Sequence, residues 1–245
     1  MSHNGFSLMK TDAGEYIGSE LNLFAKAIRW KRYFRSSFQQ YLKGDVLEVG
    51  AGLGGTSEVL CDGSQTTWVC LEPDHTMTSS IEFKIRSNEL PSCCRARNGV
   101  ISDLDVSETF DAILYIDVLE HIEDDKAEVS EATKHLKPGG NLIILSPAHQ
   151  SLYSPFDKAI GHYRRYSLQS MKEAVPDELK ERSLFYLDSI GYLVSFANRL
   201  LLKQSMPTEK QILFWDRILI PISQVIDPLL SFRFGKTAVG IWEKP

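Results

Sequence analysis

The chain has 245 residues, 43% hydrophobic and 24% charged, with 27 basic and 32 acidic side chains and a net charge of -5. That length and composition suit one large globular domain with a substantial core. The mildly acidic balance leaves no overall electrostatic footprint for nucleic acid, and no such partner is expected.

Residues 1–14 read as a loose end, and 15–42 as helical, with Leu21, Phe24, Ala25 and Ile28 on one face. The patch from Trp30 to Arg35 fits an amphipathic helix with a solvated basic side. It equally fits a cover in which Trp30 and Tyr33 lie over a ligand. Lys43-Gly44 closes this N-terminal cap, residues 1–44.

A short apolar strand follows at 46–49, then a turn with four glycines in six residues, then a helix start near Thr56. Strand, glycine turn and helix bring a ligand against bare backbone at the carboxyl end of a strand. Gly50-x-Gly52-x-x-Gly55 fits a dinucleotide fingerprint, whereas Glu48-x-Gly50-x-Gly52-x-Gly54 fits an acid-led variant. Glu48 favours the second, because a carboxylate in a buried strand needs a strong partner such as a ligand amine or the turn's amides.

Further strands are expected at 67–71, 93–97, 110–116 and 141–146, with helices at 76–87 and 123–136 between them. Glu72 falls where a nucleotide-binding unit places an acid for ribose hydroxyls. Lys137-Pro138-Gly139-Gly140 is expected to stop the second of those helices. Alternating strands and helices imply an α/β fold with a parallel sheet covered on both faces. The chemically suggestive positions all follow strands: 50–55, Glu72, 99–101, Asp117 and Ser146-Pro147.

On the motifs Val46-Leu47-Glu48-Val49-Gly50-Ala51-Gly52-Leu53-Gly54, Leu71-Glu72-Pro73-Asp74, Phe110-Asp111-Ala112-Ile113-Leu114, Val118-Leu119-Glu120-His121-Ile122 and Leu136-Lys137-Pro138-Gly139-Gly140, the chain resembles the Rossmann-like (class I) S-adenosylmethionine-dependent methyltransferases of bacterial small-molecule type. The resemblance covers about residues 45–147. It implies a seven-stranded, mostly parallel sheet with helices on both faces, and S-adenosyl-L-methionine as cofactor. It also implies that Gly50, Ala51, Gly52 and Gly54 underlie the methionine moiety, with Glu48 near its amino group. Glu72 and Pro73 would border the ribose, Gly99, Val100 and Ile101 the adenine, and Asp117 the methionine end. The third strand is not followed by an acid; Asn98-Gly99-Val100 stands there, and Asp103 is the nearest carboxylate. A nicotinamide-dependent oxidoreductase on the same glycine turn, and a non-catalytic cofactor-binding partner protein, are the alternatives.

The remainder is expected to hold the acceptor. His149, His162 and Tyr166 are candidate general bases, while His121, Tyr153, Arg164 and Arg165 are candidate acceptor contacts; the arginines suit a carboxylate or phosphate. The competing reading pins this loop to the sheet through the two arginines. A helix at 167–175 and strands at 182–187 and 237–242 complete the core, 45–188 and 236–245. Between them, 189–235 forms a helical cap inserted before the last strand, broken by Pro221 and Pro228. Its readings are a lid, a homodimer surface, or a peripheral membrane contact for apolar acceptors. No signal peptide or membrane span is expected, and the four cysteines lack metal-site spacing and read as buried thiols. A cytoplasmic, metal-free enzyme for a small-molecule acceptor, monomeric or homodimeric, is the combined expectation, with oxygen as the preferred acceptor atom.

Overall fold

A computed structural model describes residues 19–201 and 208–245. Seven strands form one sheet in the order β3-β2-β1-β4-β5-β7-β6. In chain order they are β1 (Asp45–Val49), β2 (Thr67–Glu72), β3 (Cys94–Asn98), β4 (Phe110–Ile116), β5 (Leu136–Pro147), β6 (Lys180–Leu187) and β7 (Thr237–Glu243). β1 pairs in parallel with β2 and β4, as do β2 with β3 and β4 with β5, while β7 runs antiparallel to β5 and β6. β1 and β4 are buried almost throughout because helices cover both faces of the sheet.

One face is covered by α2 (Ile28–Phe38), α3 (Ser57–Leu60) and α4 (His75–Arg86), which bring Phe34, Phe38, Leu60 and Ile81 onto Val46, Trp68 and Leu114. The other carries α5 (Asp125–Lys134) and α7 (Leu168–Glu173), whose Val129, Ala132 and Met171 meet Ile113, Tyr115 and Trp242. Four strand ends, after β1, β2, β3 and β4, and the end of β5 therefore open on one edge of the sheet.

Two local expectations are corrected. The expected helix at 15–42 is divided into α1 (Ser19–Ala25), α2 and a 3-10 turn at Gln39–Tyr41; its first residues lie outside those described. α2 has no side-chain cap of its own, and the Trp30 amide instead donates to Asp216 of the cap at 2.8 Å. Lys137 to Gly140 does not end a helix but lies within β5. The Gly139 amide donates to the Lys244 carbonyl, and the Lys244 amide returns a bond to Gly140, so pairing with the chain's end keeps this segment extended.

The inserted segment contains α8 (Ser189–Leu201), α9 (Glu209–Phe214), a π-helical turn at Trp215–Leu219 and α10 (Ile220–Leu229). Three buried aspartates dock it. Asp216 takes the Trp30 amide; Asp227 takes the Tyr33 hydroxyl and the amides of Asp188 and Ser189. Asp188 takes Gly191, Trp215 Nε1 and Ser223 Oγ. Among the described residues no helix is long and apolar enough to cross a membrane. All four cysteines are free thiols.

Candidate functional site

A cavity of about 1070 Å³ lies over the carboxyl ends of β1, β4 and β5. Its floor is the glycine turn, with Gly50, Ala51, Gly52, Leu53, Gly55 and Thr56. Phe24, Trp30 and Lys31 close one side, and Val194, Ile212 and Trp215 of the inserted helices lie above. The remaining side carries Asp117, Glu120, His121, Asp157, His162 and Arg165.

Three of the turn's four glycines have positive φ, Gly50, Gly52 and Gly54 at 67°, 56° and 74°, and they do different work. A Cβ on Gly50 would meet Val118 Cγ2 at 2.7 Å, and one on Gly54 would meet Ile81 Cγ1 at 3.3 Å, so both serve close packing. A Cβ on Gly52 would meet nothing within 4 Å. Gly52 alone of the three presents bare backbone to open space, as a ligand cradle requires. Lys31 Nζ donates to the Gly55 carbonyl at 2.8 Å, and Lys84 Nζ to the Leu53 carbonyl at 2.8 Å. These two ammonium groups hold the turn's shape, and burial lowers the pKa of Lys31.

Glu72 ends β2 with its carboxylate accepting from the Gly52 amide at 2.8 Å and the Asp74 amide at 3.0 Å. Burial raises its pKa, and the two amides oppose that rise. Pro73 follows, and its carbonyl accepts from Asn98 Nδ2 at 3.0 Å. Gly99 has φ 146°, where a Cβ would meet Asp103 Oδ2 at 3.0 Å; that carboxylate caps the Val100 amide at 2.9 Å. The acid nearest to β3 is thus committed to its own turn, and Ile101 beside it is buried. Glu72 and 99–101 lie along the neighbouring strand ends, outside the cavity wall.

Glu48 does not line the cavity. It is buried under the turn, where Ser57 Oγ and Trp68 Nε1 donate to Oε2 at 2.6 and 2.9 Å. Desolvation pushes its pKa up to about 7. Its partners are a hydroxyl and an indole rather than the turn's amides. Asp117 follows β4 with φ 54°, its amide donating to the Leu145 carbonyl. Asp117 is exposed, yet desolvation by the surrounding protein pushes its pKa up to about 7, against the opposing pull of Lys236, Arg165 and Lys31.

The acceptor-side candidates separate into two groups. His121, Tyr153, His162 and Arg165 reach the cavity. His162 Nδ1 is 3.0 Å from Asp157 Oδ1, and Tyr153 donates to the His162 carbonyl at 2.6 Å. Arg165 grips Asp157 through Nε and Nη2 at 2.8 and 3.1 Å. Arg164 instead donates to the carbonyls of Ile122 and Glu123 and pairs with Asp125. Tyr166 is buried with its hydroxyl on Asp125 Oδ2, and His149 stacks on Tyr186 while Nε2 meets the Gly235 carbonyl. Tyr33 is committed to Asp227. These four side chains are held by structural partners and do not line the cavity.

Like Glu120, Asp157 is a site residue to which the sequence reading gave no role. It is 0% exposed and takes Ser154 N, Ser154 Oγ, His162 and Arg165. The signal was present, since Ser154-x-x-Asp157 is a capping-box spacing before α6 (Pro155–Ala159).

Residues 47–144 match a family model described as "Methyltransferase domain". A ubiquinone biosynthesis O-methyltransferase of Xanthomonas campestris is 30% identical over 107 residues, 40% of this chain and 41% of that protein. One from Idiomarina loihiensis is 32% identical over 100 residues, 40% of each chain. The chain thus aligns with about two-fifths of the length of these curated relatives. Among solved structures, geranyl diphosphate methyltransferase in complex with S-adenosylmethionine superposes with TM-score 0.63 at 12% identity over 99% of both chains. A S-adenosylmethionine-dependent methyltransferase from Clostridium acetobutylicum gives 0.56 at 15% over 92% of this chain and 98% of the other. Likenesses at such low identity establish the shared fold.

Proposed function

We propose, from the premise that residues 47–144 are a methyltransferase domain on a class I Rossmann-like fold, that the chain moves a methyl group from S-adenosylmethionine to a hydroxyl oxygen of a small molecule. The observation that carries the cofactor is Gly52, whose missing side chain faces open space while its amide holds the Glu72 carboxylate. Gly52 and Asp117 would then border the methionine end. Glu72 would turn its carboxylate to the ribose, and the backbone at 99–101 would flank the adenine. When bound, the cofactor supplies a methyl group already activated by a sulfonium charge, so the protein's main contributions are alignment and exclusion of water.

The oxygen assignment draws on the facing wall. His162 is oriented through Nδ1 by Asp157, which leaves Nε2 for the acceptor side. The aligned relatives are named as O-methyltransferases. Trp30, Ile212 and Trp215 would cover an apolar part of the acceptor, with 189–235 serving as the lid. The test is incubation with methyl-labelled S-adenosylmethionine and a panel of phenols, polyols and amines, with products read by mass spectrometry. O-methylated product from hydroxyl acceptors is expected. Transfer to amines alone would overturn the oxygen assignment.

A further inference from the structure

We propose that Glu120, His121 and His162 form a binding site for one first-row divalent cation, such as Zn2+ or Mn2+, on the acceptor side of the cavity. The role of this cation rests on the methyltransferase reading, whereas its binding does not.

The ligand atoms of the three side chains lie within 4.8 Å of one another. His121 and His162 meet edge to face with ring centroids 4.5 Å apart, and His162 Nε2 is 3.9 Å from Glu120 Oε1. All three line the cavity, so a cation held there would keep positions open to it. Three protein ligands with an open side are the pattern of a reactive metal site rather than a closed structural one.

The independent observation is Glu120 itself. It is 0% exposed, and neither of its carboxylate oxygens has a hydrogen-bond partner. By the geometry of the site the buried Ser146 hydroxyl is likewise without a hydrogen-bond partner. A buried carboxylate in that condition is costly unless a positive charge compensates it. Asp157, equally buried in the same wall, shows the contrast, since a guanidinium, an imidazole, a hydroxyl and an amide satisfy it. Arg165, the cation at hand, has its Nε and Nη2 on Asp157 and leaves Glu120 bare.

The surroundings of His162 match the demand. Ligating histidines are held through their other nitrogen by a carboxylate or carbonyl. Asp157 holds His162 Nδ1 at 3.0 Å in this way. Two imidazoles and one carboxylate suit borderline cations of the zinc and manganese type better than calcium. A cation there would bind the acceptor's oxygen, fix it before the methyl group, and make its hydroxyl more acidic.

The experiment uses the full chain stripped with a chelator, then titrated with Zn2+ or Mn2+ alone by calorimetry, with bound metal counted by mass spectrometry. One cation per chain is expected, with affinity reduced about tenfold or more in Glu120→Gln and in His162→Ala. S-adenosylhomocysteine is titrated into each metal-free variant, as a check on fold that is independent of the cation. Retained S-adenosylhomocysteine binding with lost metal binding supports the proposal. Cation binding that is absent from the wild type, or unchanged in both variants, overturns it. Should a variant fail to fold, the Co2+-loaded wild type decides: a visible absorption band of nitrogen-ligated cobalt supports the site, and the spectrum of aqueous cobalt rejects it. Failure of S-adenosylhomocysteine to bind the metal-free wild type would instead count against the methyltransferase reading.

Discussion

The floor of the cavity and its acceptor wall stand in contrast. The floor is backbone, shaped by positive-φ glycines and clamped at two carbonyls by Lys31 and Lys84. The wall is charge: Glu120, Asp157 and His162 are buried, His121 and Arg165 half-buried, and Asp117 is exposed at its edge. A backbone floor can serve one constant ligand across many proteins, whereas a charged wall is specific to what it receives. The matched segment 47–144 contains the floor and the Asp117, Glu120 and His121 part of the wall, but not Asp157, His162 or Arg165.

Breaking the wall should have the largest effect on stability. Asp157→Ala leaves Arg165 buried without its partner, and loss of one member of a buried pair costs about 3–5 kcal/mol. At about 2–4 °C per kcal/mol for a chain of this size, thermal denaturation should show a fall on the order of 10 °C. A fall within about 2 °C would mean that Asp157 does not organise the wall.

The floor should respond through Glu48 instead. Burial raises its pKa from 4.5 to about 7, so the folded state holds the proton more tightly than the unfolded chain. The associated stability is fully present below pH 4.5 and is lost as pH rises through about 7. Glu48→Gln should remove that loss, leaving the variant more stable than wild type by up to about 3 kcal/mol at pH 8. Urea midpoints between pH 5 and pH 8 would show it, and parallel pH profiles of the two proteins would refute it.

Tyr33→Phe sharpens the boundary between site and support. Asp227 keeps the Asp188 and Ser189 amides, so the loss should be about 1 kcal/mol, with unchanged affinity for S-adenosylhomocysteine. A large loss of affinity would return Tyr33 to the ligand.

The same contrast explains what the sequence makes legible. β1, β2 and β4 announce themselves because their apolar runs and glycine stops are local. Glu72 and Asp117 were locatable because strand ends in such sheets share one edge. The break before α2 was not, since the Trp30 amide is taken by Asp216, a residue of the cap far along the chain. Nor was the extended form of Lys137 to Gly140, which depends on pairing with the chain's last residues. In the wall, histidine and arginine types flagged the right segment but could not be sorted. His149 and Tyr166 carry the same chemistry as His162 and differ only in their neighbours: Gly235 and Tyr186 for one, Asp125 for the other.

The central claim is that Gly52 forms the cofactor's floor. Its most direct test is a calorimetric titration of S-adenosylhomocysteine into wild type and Gly52→Val, with thermal denaturation alongside. One site per chain is predicted for the wild type, and at least about a hundredfold weaker binding in the variant, equivalent to about 2.8 kcal/mol. Equal affinity in the two proteins would contradict the account.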